Sequence, residues 1–148
     1  MPVFIKENAF DPFNEIQIQQ QRLEENAGHA QYGATAIFIG TMRDFNEDRE
    51  VSSMTLEYYP GMTESALETI CREAEEKWSI LDSLIVHRVG NINVNESIVV
   101  VAVWSAHRGA AYDANRYIME ALKSRAPFWK KEQTPKGIKW VDQNTQVD

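Results

Sequence analysis

Apolar residues in this chain come in two forms: short continuous runs, and longer stretches where they recur every three or four positions. Such a mixture predicts buried strands interleaved with amphipathic helices. Ser97-Ile98-Val99-Val100-Val101-Ala102-Val103-Trp104 is the most strand-like segment, because β-branched residues fill it almost without a break. Gly33 to Thr41 is a nearly continuous apolar run bounded by glycines and predicts a second buried strand. Ser53–Tyr59, ended by Pro60-Gly61, and Leu81–Val89 give two more. Met42 to Glu50 is polar and reads as a loop, and Asn91 to Glu96 as a turn.

Helical spacing appears elsewhere. Phe13 to Glu25 predicts a helix with many polar positions, stopped around Gly28. A second helix runs from Thr63, as its cap, to about Trp78. Its apolar positions Met62, Ala66, Ile70, Ala74 and Trp78 turn inward, and Glu64, Glu68, Glu73, Glu75 and Glu76 face water. A third occupies His107 to Lys123 with Ala111, Ala114, Ile118 and Leu122 inside. Phe128–Glu132 and Gly137–Val141 form a final hairpin around Thr134-Pro135-Lys136-Gly137. The expected fold class is α+β: two to three helices packed on a mostly antiparallel sheet. No repeat or linker interrupts the chain, so residues 1–148 are expected to form a single domain.

Composition narrows the class of protein. With 43% hydrophobic residues the chain can bury a real core, yet no apolar run approaches the roughly 20 residues that span a bilayer. The start Met1-Pro2-Val3-Phe4-Ile5-Lys6-Glu7 lacks a signal pattern, and the one cysteine, Cys71, excludes an internal disulfide. A cytoplasmic protein with no membrane partner is expected. Cys71 falls among Glu68, Glu73 and Glu75, whose charge should raise its pKa and make it a poor nucleophile. Three His and one Cys, none at metal-ligand spacing, argue against a zinc site.

Charge is distributed unevenly. From His107 to Trp140 eight Lys and Arg stand against three Asp and Glu, a net +5 in a chain of net −7, so the remainder carries −12. A basic cluster on an acidic body suits an anionic ligand, although an ordinary basic face has the same composition. The overall acidity disfavours a general nucleic-acid binder.

Within the cluster, His107-Arg108 stands where a helix begins, and free N–H groups there can hold phosphate. Lys123 sits near that helix's end, where a lysine suits the dipole. It also neighbours Arg125 and Lys130, whose charges would lower its pKa and leave a neutral amine for proton transfer or attack. Pro127-Phe128-Trp129 is either core packing or a wall for a flat ring. Lys130-Lys131 is either a solvated strand edge or part of the same site. Arg43 stands in a polar loop from which it could close over phosphate. His87 has the setting of a satisfied core or interface histidine, and His29 is isolated.

These residues resemble a known family, the large, catalytic subunit of molybdopterin synthase. The likeness rests on Gly33-Ala34 with Phe38-Ile39-Gly40-Thr41-Met42-Arg43, on Leu56-Glu57-Tyr58-Tyr59-Pro60-Gly61-Met62-Thr63, and on His87-Arg88-Val89-Gly90. Ser105-Ala106-His107-Arg108 and the long run Leu122 to Glu132 carry it most specifically. It extends from about Ala30 to Val141.

The resemblance implies an α/β hammerhead fold and a sulfur transfer. A small ubiquitin-like partner brings sulfur as a thiocarboxylate on its C-terminal Gly-Gly tail, and cyclic pyranopterin monophosphate becomes the molybdopterin dithiolene. No permanently bound cofactor is implied. The large subunit would form a homodimer within a heterotetramer. Carried over by motif, Lys123 and Lys130 are the catalytic residues, and Arg43, Thr41, Met42, His107, Arg108, Lys131 and Glu132 bind substrate. Thr41 departs from the pattern, since many members have lysine there. The competing reading is a non-enzymatic anion- or nucleic-acid-binding module built on the basic, aromatic C-terminal tract.

Overall fold

The computed structural model describes residues 2–27, 31–46, 49–50 and 53–141. A four-stranded sheet forms the centre, in the order β1 (Val3–Lys6), β6 (Asp82–Arg88), β8 (Ser97–Ser105), β2 (Ala34–Thr41). β1 runs parallel to β6, and the other pairs are antiparallel. Helix α1 (Pro12–Ala27) covers one face, where Ile16 and Leu23 meet Leu84, Val86, Val100, Ala102 and Trp104. Helices α2 (Met62–Lys77) and α3 (Arg108–Arg125) cover the other, packing Leu67, Ile70, Ala114 and Ile118 on Ile85, Val99, Val101 and Val103. Both faces of β8 are therefore buried, which is why its sequence is apolar without alternation.

A second, antiparallel sheet stands beside this frame in the order β10 (Gly137–Val141), β9 (Phe128–Thr134), β5 (Ser53–Tyr58), β7 (Gly90–Asn93). Met42, Met54, Leu56 and Ile92 close a small core under it. The fold is α+β as expected; among the described residues it has three helices and two four-stranded sheets rather than one sheet, besides a short two-stranded ribbon. Among the described residues no helix is long and apolar enough to cross a membrane.

Local chemistry explains the boundaries. Asp11 caps α1 by accepting from the Phe13 N–H at 3.0 Å, with Pro12 at the first helical position. The polar positions of α1 are used: Gln19 donates to Asp82 at 2.7 Å, and the Trp104 indole donates to Gln20 at 3.1 Å. In α2 the cap is Gly61 (φ 85°), whose N–H donates to Glu64 at 2.9 Å, and not Thr63. Thr63 is instead fully buried, accepting from the Tyr59 N–H and donating to the Pro127 carbonyl, both at 3.0 Å.

Several expectations need correction. The inner face of α2 is Thr63, Leu67, Ile70, Cys71 and Ala74, whereas Met62 projects beyond the sheet and is 63% exposed. β2 is an edge strand and not wholly buried: Ile37 and Phe38 are 47% and 42% exposed. The Asn91–Glu96 turn begins later. Gly90, at φ 82°, swings the chain from β6 directly into β7, which pairs with β5. The Met42–Glu50 loop contains two-residue strands β3 (Phe45–Asn46) and β4 (Arg49–Glu50), paired with each other. Gly28, His29, Glu47 and Asp48 lie outside the described residues.

Candidate active site

The end of α3 builds one side of a narrow cleft. The helix stops after Arg125, the Ala126 N–H donating to Leu122 O at 3.2 Å, and Pro127 turns the chain into β9. Lys123, in the last helical turn, then faces Lys130 from β9 across a floor of Met54, Leu56, Ile98, Phe128 and His87. The Thr63 bond to Pro127 O holds the turn that sets this spacing. Burial lowers the pKa of Lys123 most, the charge of Lys130 lowers it further, and Glu120 partly opposes both. The expected depression is present, with burial rather than neighbouring cations as its main cause.

Strand period sorts the remaining residues of β9. Alternate side chains point to opposite faces, so Phe128, Lys130 and Glu132 share one side. Glu132 is 2% exposed and pairs opposite Met54. Lys131 falls on the other face, opposite Thr55, and does not line the cleft with Lys130. Trp129 also lies on that face, edge-on to Tyr59 at 4.5 Å, so the expected aromatic tract is divided between two surfaces.

Thr41, Met42 and Arg43 end β2 near the same pole. Met42 is buried against Met54 and Leu56, its backbone joined to Glu96 and Asn95, and Thr41 and Arg43 are exposed on either side of it.

His107 and Arg108 lie at the other pole. His107 caps α3 by its backbone, makes no side-chain capping bond, and is exposed, as is Arg108. Fifteen residues of helix separate Arg108 from Lys123, about 22 Å at 1.5 Å per residue. Ser105 donates its hydroxyl to the His107 carbonyl, and Gly33 passes so close that a Cβ there would lie 2.4 Å from the Ala106 oxygen. The residues expected to form one site therefore divide within one chain. Thr41, Met42, Arg43, Lys123, Lys130 and Glu132 gather at one pole, and His107-Arg108 at the other.

His87, expected as a satisfied core or interface histidine, is 4% exposed and also lines the lysine cleft. The available signal was parity: His87 shares the face of Ile85, towards α2 and α3. Cys71 is fully buried and its thiol is pushed up to about 11, chiefly by burial. The expected carboxylates contribute less: Glu75 adds to the rise, and neither Glu68 nor Glu73 figures in it.

The frame and cleft define an α+β domain with a half-buried lysine pair at one pole and an exposed, cationic helix start at the other. The chain belongs to the family described as MoaE protein, whose model matches residues 13–125. It is 48% identical over 145 residues to the molybdopterin synthase catalytic subunit of Pseudomonas aeruginosa, covering 96% of this chain and 91% of that one. The Ralstonia nicotianae protein of the same name is 55% identical over 116 residues, 78% of this chain and 66% of its own length. A solved structure, the molybdopterin biosynthesis MoaE protein from Burkholderia ambifaria, superposes with TM-score 0.78 at 41% identity, covering 99% and 92%.

Proposed function

We propose that this chain, acting as one domain over residues 1–148, is the catalytic subunit of a molybdopterin synthase. It moves sulfur from the thiocarboxylated C-terminal tail of a small ubiquitin-like partner to cyclic pyranopterin monophosphate, forming the dithiolene. The observation that carries the reading is the juxtaposition of Lys123 and Lys130 in one partly buried cleft of a chain whose relatives bear that name. Once the thiocarboxylate sulfur has bonded to the pterin, water adds to the acyl carbon. Charge gathers on the acyl oxygen, where the ammonium of one lysine stabilises it, and the carbon–sulfur bond then breaks to release the tail as a carboxylate. Opening the cyclic phosphate and losing water require proton transfers, which a lysine of lowered pKa performs. Cys71 is buried and protonated, consistent with sulfur that arrives on a partner.

Arg43, Thr41 and Met42 border the cleft pole, where Arg43 meets the substrate's anionic groups. His107 and Arg108 bind phosphate at the start of α3, and a complete site therefore takes them from a second copy of the chain. The exposed edge of β2 suits such a homodimer. A twofold axis beside it reverses the strand, so the Thr41 end of one copy meets the Gly33 and His107 end of the other. With one small partner at each cleft the assembly is a heterotetramer. Lys131, on the opposite face of β9, contributes through the surface that surrounds the cleft, and Glu132 through its buried place beside Lys130. The reading places the protein in the cytoplasm.

The test mixes the purified chain with the thiocarboxylated partner and the pyranopterin and follows dithiolene formation. Product that forms only when all three are present is expected. No product with a folded chain and loaded partner overturns the assignment. Light scattering showing only monomer at micromolar concentration would overturn the two-copy site.

A further inference from the structure

His87 is a buried titratable group without a task in the reaction above. Its ring stacks on Phe128 with centroids 4.0 Å apart and planes 17° apart, and its Nδ1 lies 2.8 Å from the Arg88 carbonyl oxygen. A carbonyl only accepts, so Nδ1 carries the proton, and the neutral ring keeps its lone pair on Nε2. Burial holds the pKa at about 4, with the charge of Lys123 acting in the same direction. The ring is therefore neutral at neutral pH, fixed in tautomer and fixed in orientation.

We propose that His87 is a positioning residue for sulfur transfer: its Nε2 accepts a hydrogen bond from the Lys123 amine and aims that amine across the cleft towards Lys130. This rests on Lys123 and Lys130 being the acting pair. The lining of the cleft favours it, because the side chains there other than His87 are apolar or cationic and His87 brings the uncharged acceptor. A carboxylate in its place would orient the amine but restore its full charge, whereas a neutral acceptor orients it and leaves the pKa low. The charged groups around the ring agree. α3 brings Lys123, with Glu120 exposed one turn earlier. β9 brings Lys130 and the buried Glu132, and β5 and β8 bring Met54, Leu56 and Ile98. On its own strand Arg88 has the opposite parity and bonds Glu96 and Asn91.

Two variants test the proposal in the complete complex. His87→Phe keeps ring volume and stacking without the lone pair, and His87→Gln returns an amide acceptor near the Nε2 position. We expect His87→Phe to lose about tenfold or more in kcat with little change in KM, and His87→Gln to recover much of that loss. Acylation of the Lys123 amine, followed against pH by mass spectrometry, should show a lower midpoint in His87→Phe, because the ammonium loses an acceptor while its burial remains. Native kcat and a native Lys123 midpoint in His87→Phe overturn the proposal. Should His87→Phe fail to fold, the ¹⁵N resonance of His87 Nε2 decides: it moves in Lys123→Ala if the contact exists, and an unmoved signal overturns it. Lys123→Ala with near-native turnover would instead defeat the lysine-pair assignment, which the acylation and resonance readouts leave separate.

Discussion

Arg125 and Glu73 form a two-pronged link, Nη2 donating to Oε2 at 3.0 Å while Nη1 engages Oε1. The Tyr117 hydroxyl donates to the same carboxylate at 2.7 Å. The link joins the last turn of α3, two residues beyond Lys123, to the C-terminal part of α2. The helix end that presents the cleft lysine is thus held from outside by an ion pair and from below by the core. Arg125 first, and Tyr117 second, hold the Glu73 carboxyl at about 2.

A carboxyl whose folded pKa is depressed stabilises the fold fully above its unfolded value near 4.5, and that stabilisation fades as pH falls towards 2. Glu73→Gln should therefore melt below the native chain at pH 7, by a small margin because the pair is exposed. The two melting curves should converge as pH approaches 2. A constant gap across that range would show that the loss arises elsewhere.

How much of this was legible in the sequence depends on the physics each residue answers to. β8 was legible because burial on both faces demands an unbroken apolar run, and Lys123 with Lys130 because cations cluster against the trend of the chain. β1 and β7 were not, since four residues carry too little periodicity. The inner face of α2 was misjudged by following a strict four-residue spacing through Met62, where the observed face advances by four and three through Leu67, Ile70, Cys71 and Ala74. Lys131 was carried over with Lys130 by motif, and neighbouring residues of a strand point to opposite faces. His107-Arg108 was grouped with Lys123 by motif, and an eighteen-residue helix keeps them apart.

Burial predicts the chemistry of Cys71. Its thiol sits near pKa 11 inside the α2 core, so the native protein should resist iodoacetamide at pH 8 and react once unfolded. Cys71→Ala should still transfer sulfur, at a stability cost of about 1 kcal/mol for the lost packing. Rapid alkylation of the folded protein would show that the thiol is reachable.

His87 ties stability to pH in the mildly acid range. Its folded pKa of about 4 lies below the ordinary 6.5, so the unfolded chain takes up the proton first. The contribution of the neutral ring is complete above 6.5 and lost as pH falls through 4. Denaturant midpoints should decline across this window in the native chain and decline less in His87→Gln. Equal slopes would mean that another group titrates there.

Charge should guide the partner. The tail's terminal group is anionic, and Lys123 and Lys130 face the cleft it enters. Affinity for the partner should weaken as salt rises, although the chain as a whole is acidic. A salt-independent affinity would remove the electrostatic basis of the tail channel.

The separation of the two cation groups gives the sharpest expectation. Lys123→Ala should abolish product while partner binding persists, and Lys123→Arg should fail as well, because charge is kept but the lowered amine pKa is not. Lys130→Ala should cost as much or somewhat less. Arg108→Ala should mainly weaken substrate binding. If each site takes its lysines from one copy and His107-Arg108 from the other, a mixed dimer of Lys123→Ala and Arg108→Ala contains one intact site and one doubly defective site. Mixing equal amounts of the two variants after mild dissociation, at substrate levels too low for Arg108→Ala alone, makes about half the dimers mixed and should restore turnover approaching a quarter of that of the native dimer. If both groups acted within one copy, no mixture would contain an intact site, and turnover would stay at the average of the two defective proteins.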